Sequence, residues 1–166
     1  MYDGQSTPGG MFKLLRQHIS TLAGDGGIPQ REQVYLPDLH EIAPHILLIG
    51  VERSASGYRF VLRFFGTGLS ALVGMNPMGM YVDQLTHLSN IQGISNHYRR
   101  IVETGEEHIL QQEVEVAENK STGRRRVTLH IHELGLPLLG PGGEIDFIIG
   151  VVEVKKDFLP RRRQIP

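Results

Sequence analysis

The segment Tyr58-Arg-Phe-Val-Leu-Arg-Phe-Phe-Gly-Thr67 combines an alternating strand pattern with a glycine break. Successive side chains of a strand point to opposite faces, so one set is predicted to face the core. That set is Tyr58, Phe60, Leu62 and Phe64. Arg63 then falls on the opposite face, unless a bulge near Gly66 redirects it. The segment therefore predicts a strand with an aromatic inner face that ends at Gly66.

Strand and helix signals continue on both sides of this segment. Ile46–Arg53 has a strand pattern, and Ser54-Ala-Ser-Gly57 has the length and composition of a hairpin turn. Downstream, helices are predicted over Leu69–Val73 and from about Leu88 to Thr104, because apolar residues there recur at helical spacing and glycines follow.

After Gly105 the hydrophobic period changes from helical to two. Three strands are predicted, at His108–Ala117, Arg124–Leu136 and Glu144–Lys155. The helices separate the second strand from the third, so these two strands cannot form a simple hairpin. The sequence thus predicts an α+β fold with a five-stranded antiparallel sheet and its helices on one face.

The N-terminal part of the chain contains a further amphipathic helix, predicted over Met11–Ala23. We expect residues 1–27 to comprise a disordered start and this helix, 28–156 to form the main domain, and 157–166 to be a basic tail. Three consecutive arginines in that tail, residues 161–163, are interpreted as a solvated terminus.

The composition excludes several classes of protein. None of the 166 residues is Cys, which excludes disulfide frameworks, thiolate nucleophiles, zinc knuckles and Cys-held iron–sulfur clusters. With 17 basic and 18 acidic residues, the chain has no overall field to attract a nucleic acid. No apolar run approaches the roughly 20 residues of a membrane span, and residues 1–10 do not resemble a signal peptide. A cytoplasmic protein without a nucleic-acid partner or membrane span is expected.

The element order resembles that of a PAS domain, and short motifs strengthen this resemblance. The matching positions are Arg63, Gly66, Thr67, Gly74, Gly79, Tyr98 and Gly105. Over about residues 28–155, the chain is similar to the stand-alone PAS-like family of mostly alphaproteobacterial proteins. This resemblance implies a bacterial signal-transduction domain in which the sheet and helices enclose a cavity. It also implies a homodimer through the N-terminal helix, at Phe12, Leu15, Ile19 and Leu22.

The inward-facing residues indicate where such a cavity would lie. The ligand-binding candidates are Phe60, Leu62, Arg63, Phe64, Thr67, Leu72, Ile94, Tyr98, Leu129 and Ile131. Most are apolar, and Tyr98 adds one phenolic hydroxyl. If Arg63 pointed inward, a ligand with a carboxylate would be expected, because a buried guanidinium needs an anionic partner. A core filled by the same side chains is an equal alternative.

No metal site or particular cofactor is predicted. His130 and His132 share a strand face and would need His97 or His108 to complete a three-histidine zinc site. The resemblance leaves haem open, through His97 or His87, or another small ligand, whereas the absence of Cys excludes a cysteinyl-flavin photosensor. Gly66-Thr-Gly-Leu-Ser-Ala71 fits the dinucleotide-binding pattern, but the short helix and antiparallel strands favour a simple turn.

Two functions from different classes follow from these observations. The first is a stand-alone PAS-type sensory or protein-interaction domain that binds a small ligand and signals through a partner protein, because 166 residues leave no space for an effector domain. No catalytic residues are assigned. The alternative is a small α+β hydrolase or isomerase with a His/Asp pair in the same cavity. Two or more titratable groups within hydrogen-bond reach in the interior would favour the enzyme.

Overall fold

The computed structural model describes residues 10–85, 90–120 and 123–157. Its helices and strands follow the predicted order: α1 (Gly10–Ala23), β1 (Ile46–Ser54), β2 (Gly57–Phe65), α2 (Thr67–Val73), α3 (Ile91–Thr104), β3 (His108–Lys120), β4 (Gly123–Leu139) and β5 (Ile145–Asp157). The expected disordered start and nearly all of the basic tail lie outside the described residues, as does the predicted first turn of α3. None of the helices described is long and apolar enough to cross a membrane.

The five strands form one antiparallel sheet in the order β2-β1-β5-β4-β3. Strands β2 and β3 are therefore at opposite edges, and α2 and α3 lie between them in the chain. This arrangement confirms the predicted α+β fold with a five-stranded antiparallel sheet. It also explains why the second and third strands do not form a hairpin.

The sheet is covered on both faces. On β1, Leu47 and Ile49 pack with residues of α2 and α3, and we call this side of the sheet the α3 face. Ile46 and Leu48 pack with α1, and we call their side the α1 face. Because strand side chains alternate, a strand buried on both sides has the continuous apolar run seen at the start of β1.

Helix α1 packs against the sheet of its own chain. Phe12, Leu15 and Ile19 are buried in the core of the α1 face, whereas Leu22 is half-buried at its margin. Three of the four residues predicted for a dimer interface are thus already buried against the sheet of their own chain. A dimer that used them would first have to remove α1 from the sheet, and the homodimer itself stays a prediction.

A bulge in β2 changes which side chains face the core. Leu48 pairs with Phe64 and Ile49 pairs with Leu62, so Arg63 is an extra residue between the two pairs. Phe64 consequently packs on the α1 face, and Phe65 packs on the α3 face. The prediction that Phe64 shares a face with Phe60 and Leu62 is therefore wrong.

Strand β4 continues beyond its predicted end at Leu136. Pro137 pairs in register with Ile148 of β5, but on its other side β3 begins only opposite Gly135. Proline lacks a backbone N–H, and at this position no neighbouring strand among the described residues requires one on that side. The segment predicted as a loop from Gly135 is therefore partly strand.

Gly66 marks the turn from β2 into α2, as predicted. Its φ of −60° is accessible to any residue, so backbone freedom does not explain the glycine. A Cβ at this position would collide with the carbonyl oxygens of Ala43 and Pro44. The glycine motif is thus a close contact between backbone segments, and the helix that follows it has only seven residues.

Adjacent leucines of α1 offer a test of its packing. Leu15 is fully buried, whereas Leu14 is 42% exposed. We expect Leu15→Ala to lower the free energy of unfolding by about 2–5 kcal/mol, because it leaves a cavity in the core. Leu14→Ala should change it by less than about 0.5 kcal/mol. Urea unfolding of both variants measures this difference, and equal effects would contradict the packing of α1 on the sheet.

The close backbone contact at Gly66 leads to a second prediction about stability. Gly66→Ala should lower the free energy of unfolding by about 1–3 kcal/mol, because the added methyl group overpacks the turn. Gly142→Ala is the matched control, since a Cβ there has no atom within 4 Å. Thermal unfolding of the two variants at equal concentration checks this; an unchanged Gly66→Ala protein would show that the turn tolerates a side chain.

Candidate ligand cavity

A cavity of about 90 Å³ lies between the α3 face of the sheet and the helices α2 and α3. Its lining is almost entirely apolar and comes from every strand as well as both helices. Two polar side chains, Gln112 and Glu133, also line it. The other lining residues are Leu47, Leu62, Phe65, Leu69, Leu72, Val73, Met75, Pro77, Val82, Leu85, Ile94, Tyr98, Leu110, Leu129, Ile131, Val152 and Val154.

Six of the ten predicted ligand-binding residues line this cavity. They are Leu62, Leu72, Ile94, Tyr98, Leu129 and Ile131. Phe60 lies behind the wall, with its ring centroid 5.5 Å from that of Tyr98.

Three predicted residues do not reach the cavity. Phe64 is on the α1 face because of the bulge, and Thr67 is exposed at the start of α2. Arg63 is exposed, and its Nη2 lies 3.9 Å from Glu52 Oε1. None of the three residues therefore lines this cavity, and their role in ligand binding stays a prediction. Among the described lining residues no guanidinium calls for a ligand with a carboxylate.

Two glycines face each other where α3 comes close to the sheet. Gly135 of β4 pairs with Gly150 of β5. A Cβ on Gly135 would lie 2.6 Å from Ile101 Cδ1 and 3.2 Å from His97 Nε2. A Cβ on Gly150 would lie 2.9 Å from Glu133 Oε1. The missing side chains thus provide the space in which His97 and Glu133 are buried.

A chain of polar side chains runs from the cavity toward the surface. Tyr98 Oη donates a hydrogen bond of 3.3 Å to Glu133 Oε2, and His97 Nε2 lies 3.4 Å from Glu133 Oε1. On its other side, His97 Nδ1 lies 2.7 Å from Nδ1 of the half-buried His108. Glu133, His97 and Tyr98 are each at most 3% exposed, so this chain is buried except at His108.

The contact between the two imidazoles restricts their protonation. A hydrogen bond between two Nδ1 atoms requires one of them to donate and the other to accept. Only one of the two Nδ1 atoms can therefore carry a proton. If His108 donates, neutral His97 has its proton on Nε2, which faces the carboxylate of Glu133. This tautomer gives each of the facing atoms a complementary role.

Burial and neighbouring charge shift two pKa values in this chain. The pKa of His108 is lowered, first by desolvation and then by the charges of His97 and Arg100, with Glu133 opposing them. The pKa of Tyr98 is raised well above its ordinary value by desolvation and by Glu133. Tyr98 therefore acts as a hydrogen-bond donor, because its ionised form is disfavoured.

Gln112 is the second polar group at the cavity. Its Oε1 accepts a hydrogen bond of 2.9 Å from Asn90 Nδ2, at the start of α3. Its Nε2 is shielded from solvent and has no hydrogen-bond partner among the described residues. Glu133 Oε1 and His97 Nε2 are likewise buried without a hydrogen bond among those residues, but they lie 3.4 Å from each other. A buried polar atom without a partner is costly, so Gln112 Nε2 leaves capacity for a further hydrogen bond, whereas Glu133 Oε1 and His97 Nε2 face each other.

The histidines do not form a metal site in the described residues. His97 and His108 are on the α3 face, whereas the alternation of β4 puts His130 and His132 on the α1 face. No group of three or more metal-ligating side chains is found in the described part of the chain. The three-histidine arrangement is therefore not supported.

Haem does not fit the arrangement around His97. Both ring nitrogens of His97 face other protein groups, so neither is directed at an iron atom. A volume of about 90 Å³ is also far below the roughly 300 Å³ or more of pockets for larger ligands. The other histidine considered for haem, His87, lies outside the described residues.

Glu133 and Gln112 were missed from the sequence, although one signal was available. Glu133 continues the inward-facing series of Leu129 and Ile131 in β4, so a charged residue appears where an apolar one is expected. The partners of these polar residues come from α3 or from Asn90, the residue that precedes it. Strand alternation alone does not identify such long-range contacts.

Comparisons with known proteins give no assignment. No family model and no curated protein matches the sequence. One matching structure comes from work on a flavin analogue and the mechanism of a light-oxygen-voltage domain. It has 14% identity and a TM-score of 0.45, and the match covers 72% of this chain and 83% of that one. A second match is the structure of an RNA-binding light-oxygen-voltage receptor, with 13% identity and a TM-score of 0.38. This match covers 80% of this chain and 37% of that one. At these TM-scores neither supports an inference about this chain.

The polar chain makes a prediction about pH. Because burial and neighbouring charge lower the pKa of His108, this residue should titrate in the folded protein with a midpoint below the ordinary histidine value of 6.5. The unfolded state then binds more protons, so this contribution to stability is complete above about pH 6.5 and is lost as the pH falls. NMR titration of the His108 ring measures the midpoint, and a value at or above 6.5 would contradict the geometry.

A substitution of the exposed Arg100 tests one cause of the lowered pKa of His108. Arg100→Gln should raise the His108 midpoint, because it removes a positive charge that opposes protonation. Arg99→Gln is the matched control on the next exposed residue of α3, and it should leave the midpoint closer to that of the unaltered protein.

Proposed function

We propose that this chain is a PAS-type sensory domain whose cavity binds a small molecule and whose output passes through a partner protein. One observation carries the proposal: a single cavity is lined by all five strands and by both helices of the α3 face. A ligand there would contact each of the elements whose relative positions define the domain. Binding can therefore bias their packing, which is what a sensory domain requires.

The sequence and the fold support this proposal independently of the cavity. The motifs around Gly66 resemble those of a PAS-like family, and the order of the elements is the one that this resemblance implies. The family itself stays part of the proposal.

The enzyme hypothesis is less well supported, although the interior is not purely apolar. Glu133, His97 and Tyr98 meet the condition of titratable groups within reach of one another. However, His97 does not line the cavity, and no Asp lines it among the described residues. A His/Asp pair with access to a substrate, which this hypothesis requires, is therefore absent from that part of the chain.

The partner protein, the homodimer and the cytoplasmic location are predictions that accompany the proposal. Helix α1 covers the sheet face opposite the cavity. We propose that this face communicates with a partner, since β1, β4 and β5 contribute side chains both to the cavity and to the core beneath α1. A shift of these strands would therefore change the packing both at the cavity and beneath α1.

Native mass spectrometry of protein purified without denaturation tests the proposal. We expect a small molecule to be retained in the unaltered protein and lost in the Leu72→Phe variant, because the phenylalanine ring is larger than the leucine side chain and would occupy cavity space. Leu14→Phe, the same change on the exposed side of α1, should retain it. A mass without adduct, together with no binding of any added small molecule, would contradict the sensory cavity.

A further inference from the structure

The polar side chains at the cavity are engaged with other protein groups or shielded. Glu133 accepts a hydrogen bond from Tyr98 Oη on one carboxylate oxygen, and its other oxygen faces His97 Nε2. Gln112 Oε1 accepts a hydrogen bond from Asn90, and Gln112 Nε2 is shielded from solvent. No polar atom of these side chains that lacks a hydrogen bond is therefore accessible to a molecule in the cavity.

The remainder of the described lining is apolar. It consists of aliphatic side chains, the rings of Phe65 and Tyr98, Pro77 and the thioether of Met75. Such a lining offers a ligand dispersion contacts but no hydrogen bonds. A polar group that enters it from water loses its hydrogen bonds without replacement, and a charged group is disfavoured far more strongly. The cavity therefore selects against polar and charged ligands.

The size of the cavity sets an upper limit on the ligand. An engineered apolar cavity of roughly 150 Å³ in another protein accepts benzene, which has six non-hydrogen atoms. By proportion, the cavity of about 90 Å³ has space for about four such atoms in the present packing. Larger molecules would have to displace part of the lining before they could bind.

Helix α2 forms a wall of the cavity that is partly exposed to solvent. Leu72 and Val73 of this helix line the cavity and are half-buried, whereas Leu47 and Leu62 of the sheet are fully buried. The helix has only seven residues and ends at Gly74, which has a left-handed backbone conformation. Leu72 is therefore a position at which the volume of the cavity can be changed with little disturbance of the core beneath the sheet.

We propose that the cavity binds an uncharged apolar molecule of about four non-hydrogen atoms, such as a short or branched hydrocarbon. Its affinity comes from the apolar surface that binding removes from water and from its fit to the lining. It acts on the domain by packing against α2, the sheet and the ring of Tyr98. This assignment rests on the proposed sensory function and names the ligand chemistry of the same cavity.

Three probes with the same branched shape test the assignment: isobutene, acetone and acetate. Titrations followed by ¹H–¹⁵N NMR should show saturable isobutene binding, with shifts concentrated at cavity residues such as Leu62, Ile131 and Val152. Acetone should bind at least about tenfold more weakly, because its carbonyl oxygen loses hydrogen bonds with water. Acetate should cause no saturable shifts at these residues. Binding of acetone or acetate as tight as that of isobutene would overturn the proposal.

A pair of leucine substitutions tests the size limit. Leu72→Ala enlarges the cavity, so this variant should bind benzene about tenfold more tightly than the unaltered protein does. Leu14→Ala is the matched control, since Leu14 is exposed on α1, and it should leave benzene binding unchanged. Equal benzene binding by the unaltered protein and folded Leu72→Ala protein would overturn the size limit. The probe series needs only the unaltered protein, so it tests the proposal even if Leu72→Ala does not fold.

Xenon under pressure separates this proposal from the proposed function. If xenon shifts the cavity resonances while isobutene has no advantage over acetone and acetate, the cavity is accessible and only the apolar assignment fails. If neither xenon nor any probe perturbs the cavity, the sensory cavity fails as well. Xenon entry together with preferential isobutene binding supports both.

Discussion

The pairing of Gly135 with Gly150 is the constraint on which the site depends. These residues leave the centre of the α3 face without side chains, and Ile101, His97 and Glu133 occupy the space. A methyl group on Gly135 would meet the side chains of α3, and one on Gly150 would meet the Glu133 carboxylate. The depth at which α3 packs, and the burial of the polar chain, therefore both follow from two absent side chains.

The buried polar chain connects the cavity with the surface. Tyr98 and Glu133 line the cavity, His97 lies behind them, and His108 is half-buried. A ligand that changes the hydrogen bonding of Glu133 changes the partner of His97 Nε2, and the tautomer of His97 is linked to that of His108. The cavity thus has an electrostatic connection to the surface as well as a packing connection through the sheet.

Alternation and helical spacing were sufficient to predict the element order, the antiparallel sheet and six of the cavity residues. The errors at Arg63 and Phe64 come from one bulge, whose register shift between β1 and β2 depends on pairing and not on composition. Pro137 was misread because its tolerance in β4 depends on where β3 begins. The partners of Glu133 and Gln112 depend on how α3 meets the sheet, which local patterns do not encode.

The contact between His97 and His108 tests this account most directly. Side-chain ¹⁵N NMR detects scalar coupling across an N–H···N hydrogen bond, and the two Nδ1 atoms are 2.7 Å apart. We expect this coupling in the unaltered protein and its loss in Gly135→Ala, where the new methyl group would displace His97 and Ile101. Absence of the coupling in the unaltered protein, or its survival in folded Gly135→Ala protein, would contradict the central role of the glycine pair.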